Sequence, residues 1–278
     1  MPSLNLDAEF AAFKPEQTTP LGYGYACFRC HTTGPASLAA NGGLRQDNRT
    51  GIGGTWIEDG GGCEACHGPG SLHVPNPTAG NIEVTGASDA CNNCHVNPDD
   101  PSLLGAADEL VIGNQQSTEV AAGPHAGLAC NVCHDPHSST IRDPAVGVRN
   151  NCQSCHVQNM ALHAGKVFRW GEFTETVTCT SCHMAPLARN ASSTVIPVRS
   201  GPLRFGDTRT HIVTIRTGAS GPAAMFSADG SQVARDPSGR AFVTSCQVCQ
   251  RCHNGLGNAF AFPPGEECSL GPGIHDSR

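Results

Sequence analysis

Seven times along 278 residues the chain repeats one five-residue pattern, two cysteines three apart followed directly by a histidine. The copies are Cys27–Cys30–His31, Cys63–Cys66–His67, Cys91–Cys94–His95, Cys130–Cys133–His134, Cys152–Cys155–His156, Cys179–Cys182–His183 and Cys249–Cys252–His253. They take fourteen of the sixteen cysteines and seven of the thirteen histidines. Two chemistries suit paired thiols beside an imidazole. Zinc is held by Cys-x-x-Cys pairs in four-ligand sites. A C-x-x-C-H run also reads as covalent attachment of a c-type haem, the thiols adding to its vinyl groups and the histidine lying under the iron. Zinc needs no histidine at that offset. Here one follows seven of the eight C-x-x-C pairs, and the exception, Cys246–Cys249, overlaps a complete motif in "CQVCQRCH". The repeat therefore predicts seven c-type haems, with the seven motif histidines as proximal iron ligands.

A chain of six-coordinate haems needs a second axial ligand for each iron, and six histidines remain: His73, His125, His137, His163, His211 and His275. Nearly all sit close to a motif, which predicts bis-histidine ligation almost throughout. The Gly-Pro-Gly turn in "CEACHGPGSLH" presents His73, and "CHVQNMALH" places His163 just beyond the fifth motif. His125 and His137 flank the fourth motif and are expected to reach neighbouring haems. His211 lies in the alternating stretch "GDTRTHIVTI". One ligand is missing from this count. Met225 is the leading candidate, with Met160, Met184, Lys14, Lys166 and the terminal amine as others; an open position would make one haem a binding or catalytic site. His275, in the tail, either folds back or reaches a haem of the next subunit. Arg29, Arg45, Arg169 and Arg204 are expected partners for haem propionates.

The elements that position these residues must be small. Successive first cysteines stand 36, 28, 39, 22, 27 and 70 residues apart, room for one short helix and a loop per haem. Only 38% of residues are hydrophobic and 5% aromatic, while 33 Gly and 20 Pro make up about a fifth of the chain. Such a composition is poorly placed to offset conformational entropy with its own side chains. The expected fold is mostly irregular coil with short helices and a little β structure, wrapped around a stack of seven haems whose faces form the interior. It is expected as one continuous unit over 1–278: haems 1–3 in 20–98, haems 4–6 in 120–186, and a β-like insert with haem 7 and the tail in 187–278. The leftover thiols Cys246 and Cys268 are expected to form a disulfide, which belongs outside the cytoplasm.

Net charge is −7, against a nucleic-acid partner. No apolar run approaches the ~20 residues of a transmembrane helix. "MPSLNLDAEF" lacks the basic and apolar regions of a secretory signal, so a leader is expected to have been removed. "NRT" (48–50) and "NAS" (190–192) match the glycosylation pattern, a common chance occurrence. No P-loop, dinucleotide fingerprint or hydrolase motif is present.

The block "HAGLACNVCHDPHSSTIRDPAVGVRNNCQSCH" (125–156) resembles the doubled CxxCH unit of multihaem c-type cytochromes, and "WIEDGGGCEACHGPGSLH" (56–73) is similar to segments recurrent among them. "CTSCHMAP" followed by "GDTRTH" is similar in the same way. Within that class, the near-complete histidine set resembles subunits of extracellular cytochrome nanowires. That resemblance implies an end-to-end homopolymer, fed by periplasmic or outer-membrane cytochromes and delivering electrons to an external acceptor, with no reaction of its own. A soluble periplasmic shuttle is the second reading. A reductase or oxidase of a small nitrogen or sulfur compound is the third; many such enzymes carry Lys in place of one motif histidine, whereas all seven motifs here end in His.

Overall fold

The structure, a computed structural model, describes residues 23–48, 51–83, 88–97, 100–157, 163–198, 201–218, 221–263 and 266. His275, Cys268, Met160 and Lys14 lie outside these residues, as does the side chain of Cys27. The chain divides into two units between Cys94 and His95, inside the third motif.

Small pairings hold the first unit. Strands β1 (Tyr23–Gly24), β4 (Ile52–Thr55) and β3 (Ala36–Ser37) make one sheet, and β2 (Thr32–Thr33) pairs antiparallel with β5 (Glu58–Asp59). The second pairing joins the residues just after His31 to those leading into the second motif. Thr33 reinforces it: its hydroxyl donates to Gly60 O (2.8 Å) and accepts from Gly62 N (2.8 Å). Helix α1 (Tyr25–Phe28) opens the first motif, α2 (Cys63–His67) is the second, and α3 (Asp89–Asn92) leads the third. Phe28, Ile52 and Trp56 form the apolar centre, the Phe28 and Trp56 rings 5.0 Å apart.

The second unit has a four-stranded sheet in the order β11–β10–β7–β6: β6 (Ala106–Ala107), β7 (Leu110–Ile112), β10 (Ala188–Val198) and β11 (Gly201–Thr208). The β10–β11 register slips between Ala188 and Ser193, and the Asp207 carboxylate fills that bulge by accepting N–H bonds from Asn190, Ala191 and Ser192. Gly206 is obligatory there, because a Cβ would stand 1.8 Å from Ala188 O. A hairpin of β8 (Val167–Trp170) and β9 (Phe173–Thr176) turns at Gly171, φ 57°, and leads into the sixth motif. Two-residue strands β12 (Ile215–Arg216) and β13 (Val243–Thr244) pair in parallel. Helices α4 (Gln116–Ala121), α5 (Pro144–Gly147), α6 (Cys179–His183) and α7 (Ser245–Gln250) are no longer than six residues. Helices this short are marginal alone, so their caps and tertiary bonds hold them.

The expected scarcity of helix and sheet is what the structure shows. The expectation that protein side chains build no core fails in the second unit, where Leu104, Val111, Leu187, Ile196, Leu203, Ile212, Val233 and Val243 join one buried cluster. Much of it comes from the interval 184–248 between the sixth and seventh motifs, where the chain has enough uninterrupted β structure to bury its own apolar face. Met225 is fully buried in the same cluster. His211 lies beyond the end of β11, in an extended loop rather than in the strand expected from its alternating sequence.

Phe28 is the largest fully buried side chain among the described residues of the first unit. Phe28→Ala is expected to lower stability by about 3–5 kcal/mol, the usual result of truncating a buried phenylalanine, as checked by calorimetry of the haem-loaded protein.

Candidate haem-binding site

Each motif needs only one helical turn to become a site. Residues three and four apart share a helix face, so a single turn brings both thiols and the imidazole to one side. The turn is closed by the histidine N–H bonding back to the first cysteine's carbonyl: His134 to Cys130 at 3.0 Å, His156 to Cys152 at 2.8 Å and His253 to Cys249 at 2.9 Å. The second and sixth motifs are the helices α2 and α6 themselves. Thr178 and Ser181 form a capping box at the start of α6.

Ring nitrogens are fixed by acceptors that cannot donate. Nδ1 of His67 lies 2.6 Å from Glu83 O, of His183 2.7 Å from Val213 O, of His253 2.8 Å from Phe260 O and of His95 2.9 Å from the Gln116 side-chain oxygen. A carbonyl only accepts, so Nδ1 carries the proton in each ring and Nε2 is the nitrogen with the lone pair. Among the non-motif histidines, His73 is fixed in the same way. Its Nδ1–H meets Thr78 O (3.2 Å) and Asn81 Oδ1 (3.0 Å), while Asn81 Nδ2 donates to Leu72 O and Asn76 O.

Three motif histidines each face a non-motif histidine from a remote part of the second unit. Ring centroids are 6.0 Å apart for His125 and His156, 6.1 Å for His134 and His211, and 5.9 Å for His163 and His253. Two histidine–metal bonds of about 2 Å, added to the half-widths of two imidazoles, come to about that separation. Burial, then the charges of His134 and His95, pushes His211 down to about 4. Burial, then His253 and Lys166, also lowers His163. Both rings are therefore neutral at pH 7, as a metal ligand must be. His137 is exposed, 78% of its side chain open to solvent.

These residues fit haem. Among the described residues no three His, Cys, Asp or Glu side chains gather into a metal-binding group of their own. Paired imidazoles with adjacent thiols leave four equatorial positions for a planar macrocycle to supply. Large apolar side chains stand exposed beside candidate ligands, Leu72 and Val74 around His73 and Val157 after His156, where porphyrin faces would cover them. In the first unit the Arg29 guanidinium has Nε and Nη2 buried with no acceptor, the environment expected of a propionate partner. The other three candidates differ: Arg45 donates to Ile52 O, Arg204 meets Glu109 at 3.5 Å, and Arg169 is exposed. Bound haem would supply a reversible one-electron iron couple.

The motif turns are braced against one another. Arg149 N and Asn150 Nδ2 bond Cys133 O and Val132 O, joining the fourth motif to the lead of the fifth. Glu175 joins the sixth to the seventh: it accepts from Ser181 and Arg209 on one oxygen and from Arg251, inside the last motif, on the other. Arg251 also donates to Ser181 O. Burial alone would raise Glu175, but the bonds from Arg251 and Ser181 outweigh it and hold its carboxyl below the ordinary range. Cys246 is disulfide-bonded.

Sequence reading missed Gln116, Glu119, Glu175 and Asn258. None has a motif, because each acts through long-range hydrogen bonds. Asn258 pairs with Val167 and Arg169 of β8 as a strand residue would and so carries Phe260 O to His253.

No protein-family model matches the chain, and no curated protein matches it. Two solved structures are similar. An octaheme sulfite reductase of Wolinella succinogenes, MccA, is 18% identical with a TM-score of 0.48 over 79% of this chain. The outer cell wall cytochrome OcwA is 15% identical with a TM-score of 0.43 over 90% of this chain. The chain spans only 39% and 62% of their respective lengths, and at these scores neither likeness establishes a common fold.

Glu175 and Arg251 are 12% and 11% exposed, so Glu175→Leu strands a buried cation and is expected to cost about 3–5 kcal/mol in denaturant unfolding. A carboxyl held below its ordinary value stabilises above about 4.5 and ceases to as pH falls through the lower folded value. The wild-type advantage over the variant should accordingly shrink on acidification through that window.

Proposed function

We propose that the chain is an electron-transfer protein carrying seven c-type haems, one per Cys-x-x-Cys-His motif. The observation that carries this reading is the set of three motif histidines each facing a remote histidine at 5.9–6.1 Å. In it His134 and His211 hold one iron, His156 and His125 a second, and His253 and His163 a third. At these three motifs an iron held by two imidazoles would have no open position for substrate, which supports conduction there rather than turnover. Among these ligands His253 has its Nδ1–H bonded to Phe260 O at 2.8 Å, which fixes its tautomer and raises its basicity, a lever on the potential. Braces between successive turns hold the attachment points close, as transfer between haems requires.

The finer reading is a repeating subunit of an extracellular filament, delivering electrons to an acceptor outside the cell. It is supported by the resemblance to nanowire subunits, by the near-complete histidine set, and by a histidine, His137, that stands exposed. His275 and Met225 are assigned as further distal ligands, Cys268 as the partner of Cys246, and export as the route. No helix among the described residues is long and apolar enough to cross a membrane.

Intact mass of the native protein should show seven haems; fewer, or bound zinc, would refute the reading. His211→Gly should keep all seven haems and convert one from low-spin to a carbon-monoxide-binding state, visible in absorption and paramagnetic resonance spectra. Electron microscopy tests the filament. Fibres repeating once per chain support it, whereas discrete particles at every concentration return the protein to a soluble shuttle.

A further inference from the structure

One six-residue helix touches candidate ligands belonging to two different motif sites. Helix α4 begins at Gln116, whose side-chain oxygen accepts the Nδ1–H of His95, 2.9 Å away, the proximal candidate of the third motif. Its Ser117 N–H also bonds His95 O at 2.9 Å. Three residues on, one oxygen of Glu119 accepts the backbone N–H of His211 at 2.5 Å and the hydroxyl of Thr210. His211 faces His134 of the fourth motif. Residues three apart lie on one helix face, so a single face serves both ligands.

The helix is well placed to hold them rigidly. Gln115, just before it, exchanges two hydrogen bonds with the backbone of Gly105 (2.6 and 3.0 Å), and Ala122, just after it, accepts from Ala241 N at 2.8 Å. Glu119 is fully buried, and its second oxygen has no partner. A buried carboxylate without a cation is costly. The bonds it accepts hold the Thr210–His211 loop.

We propose that Gln116 and Glu119 are positioning residues through which helix α4 orients the third-motif ligand His95 and the fourth-motif ligand His211 as a pair, making the helix the structural link between two successive haems of the relay. Gln116 acts on ring tautomer and basicity, Glu119 on where the imidazole stands. The proposal rests on the haem reading above and goes beyond it in naming what couples two sites.

The test uses the haem-loaded full chain, with the haem count taken by intact mass first; a wrong count indicts the haem reading, not this inference. The signal of the fourth-motif haem is identified as the one altered in His211→Gly, and that of the third as the one altered in His95→Met. Glu119→Ala should turn the fourth-motif haem from low-spin to carbon-monoxide-binding while Glu119→Gln, which keeps an acceptor oxygen, restores the low-spin state. Gln116→Ala should raise the potential of the third-motif haem and leave all seven low-spin, because its imidazole loses an acceptor and becomes a poorer donor. Should Glu119→Ala fail to mature, the Gln116→Ala potential decides. Either residue leaving its own haem's spectrum and potential at wild-type values removes it from the bridge and overturns the proposal.

Discussion

Three pairs of imidazoles tie the second unit together across long stretches of chain. His134 meets His211 from beyond the sixth motif, His156 meets His125 from before the fourth, and His253 meets His163 from just after the fifth. Each meeting joins a segment fixed to one attachment turn to a segment fixed to another. The pairs therefore interlock. Coordinated to iron, they would act as crosslinks of the kind that disulfides or structural metals supply to chains with thin cores.

This interlocking explains how so little regular structure suffices. Helices of four to six residues and strands often two residues long offer few internal bonds. What they do offer is placement. A single turn puts two thiols and an imidazole on one face, and a two-residue strand pair such as Thr32–Thr33 with Glu58–Asp59 joins the end of one motif to the start of the next. Charged side chains are placed with the same economy: Glu175 draws Arg209 and Arg251 together and so braces two attachment turns through one carboxylate.

The unit also holds a conventional apolar core, built around the β10–β11 hairpin and the segments that close on it. Its proximity to His211 gives it a role beyond stability. Thr210 is fixed by its N–H bond to Ala185 O, in the core, and by Glu119, so the loop carrying His211 is tied at Thr210 to two buried segments. A rigid protein core thus presents one ligand to a site otherwise assembled from turns.

The seven motifs, and the chemistry they imply, were legible in the sequence because thioether attachment fixes residue types at fixed short spacing. The scarcity of helix and sheet was legible too, from spacing and from the Gly and Pro content. The non-motif histidines could be counted but not paired, since a loop of twenty residues reaches many motifs and nothing local says which. Nor could Glu175, Gln116 or Glu119 be recognised, since carboxylates and amides carry no signal until folding brings partners to them. The core went unforeseen for a related reason: average composition does not say which apolar residues will be buried together, and most of the buried cluster falls in the one interval long enough to fold back on itself. Local covalent geometry is written in consecutive residues; which remote groups meet is decided only when the whole chain closes around them.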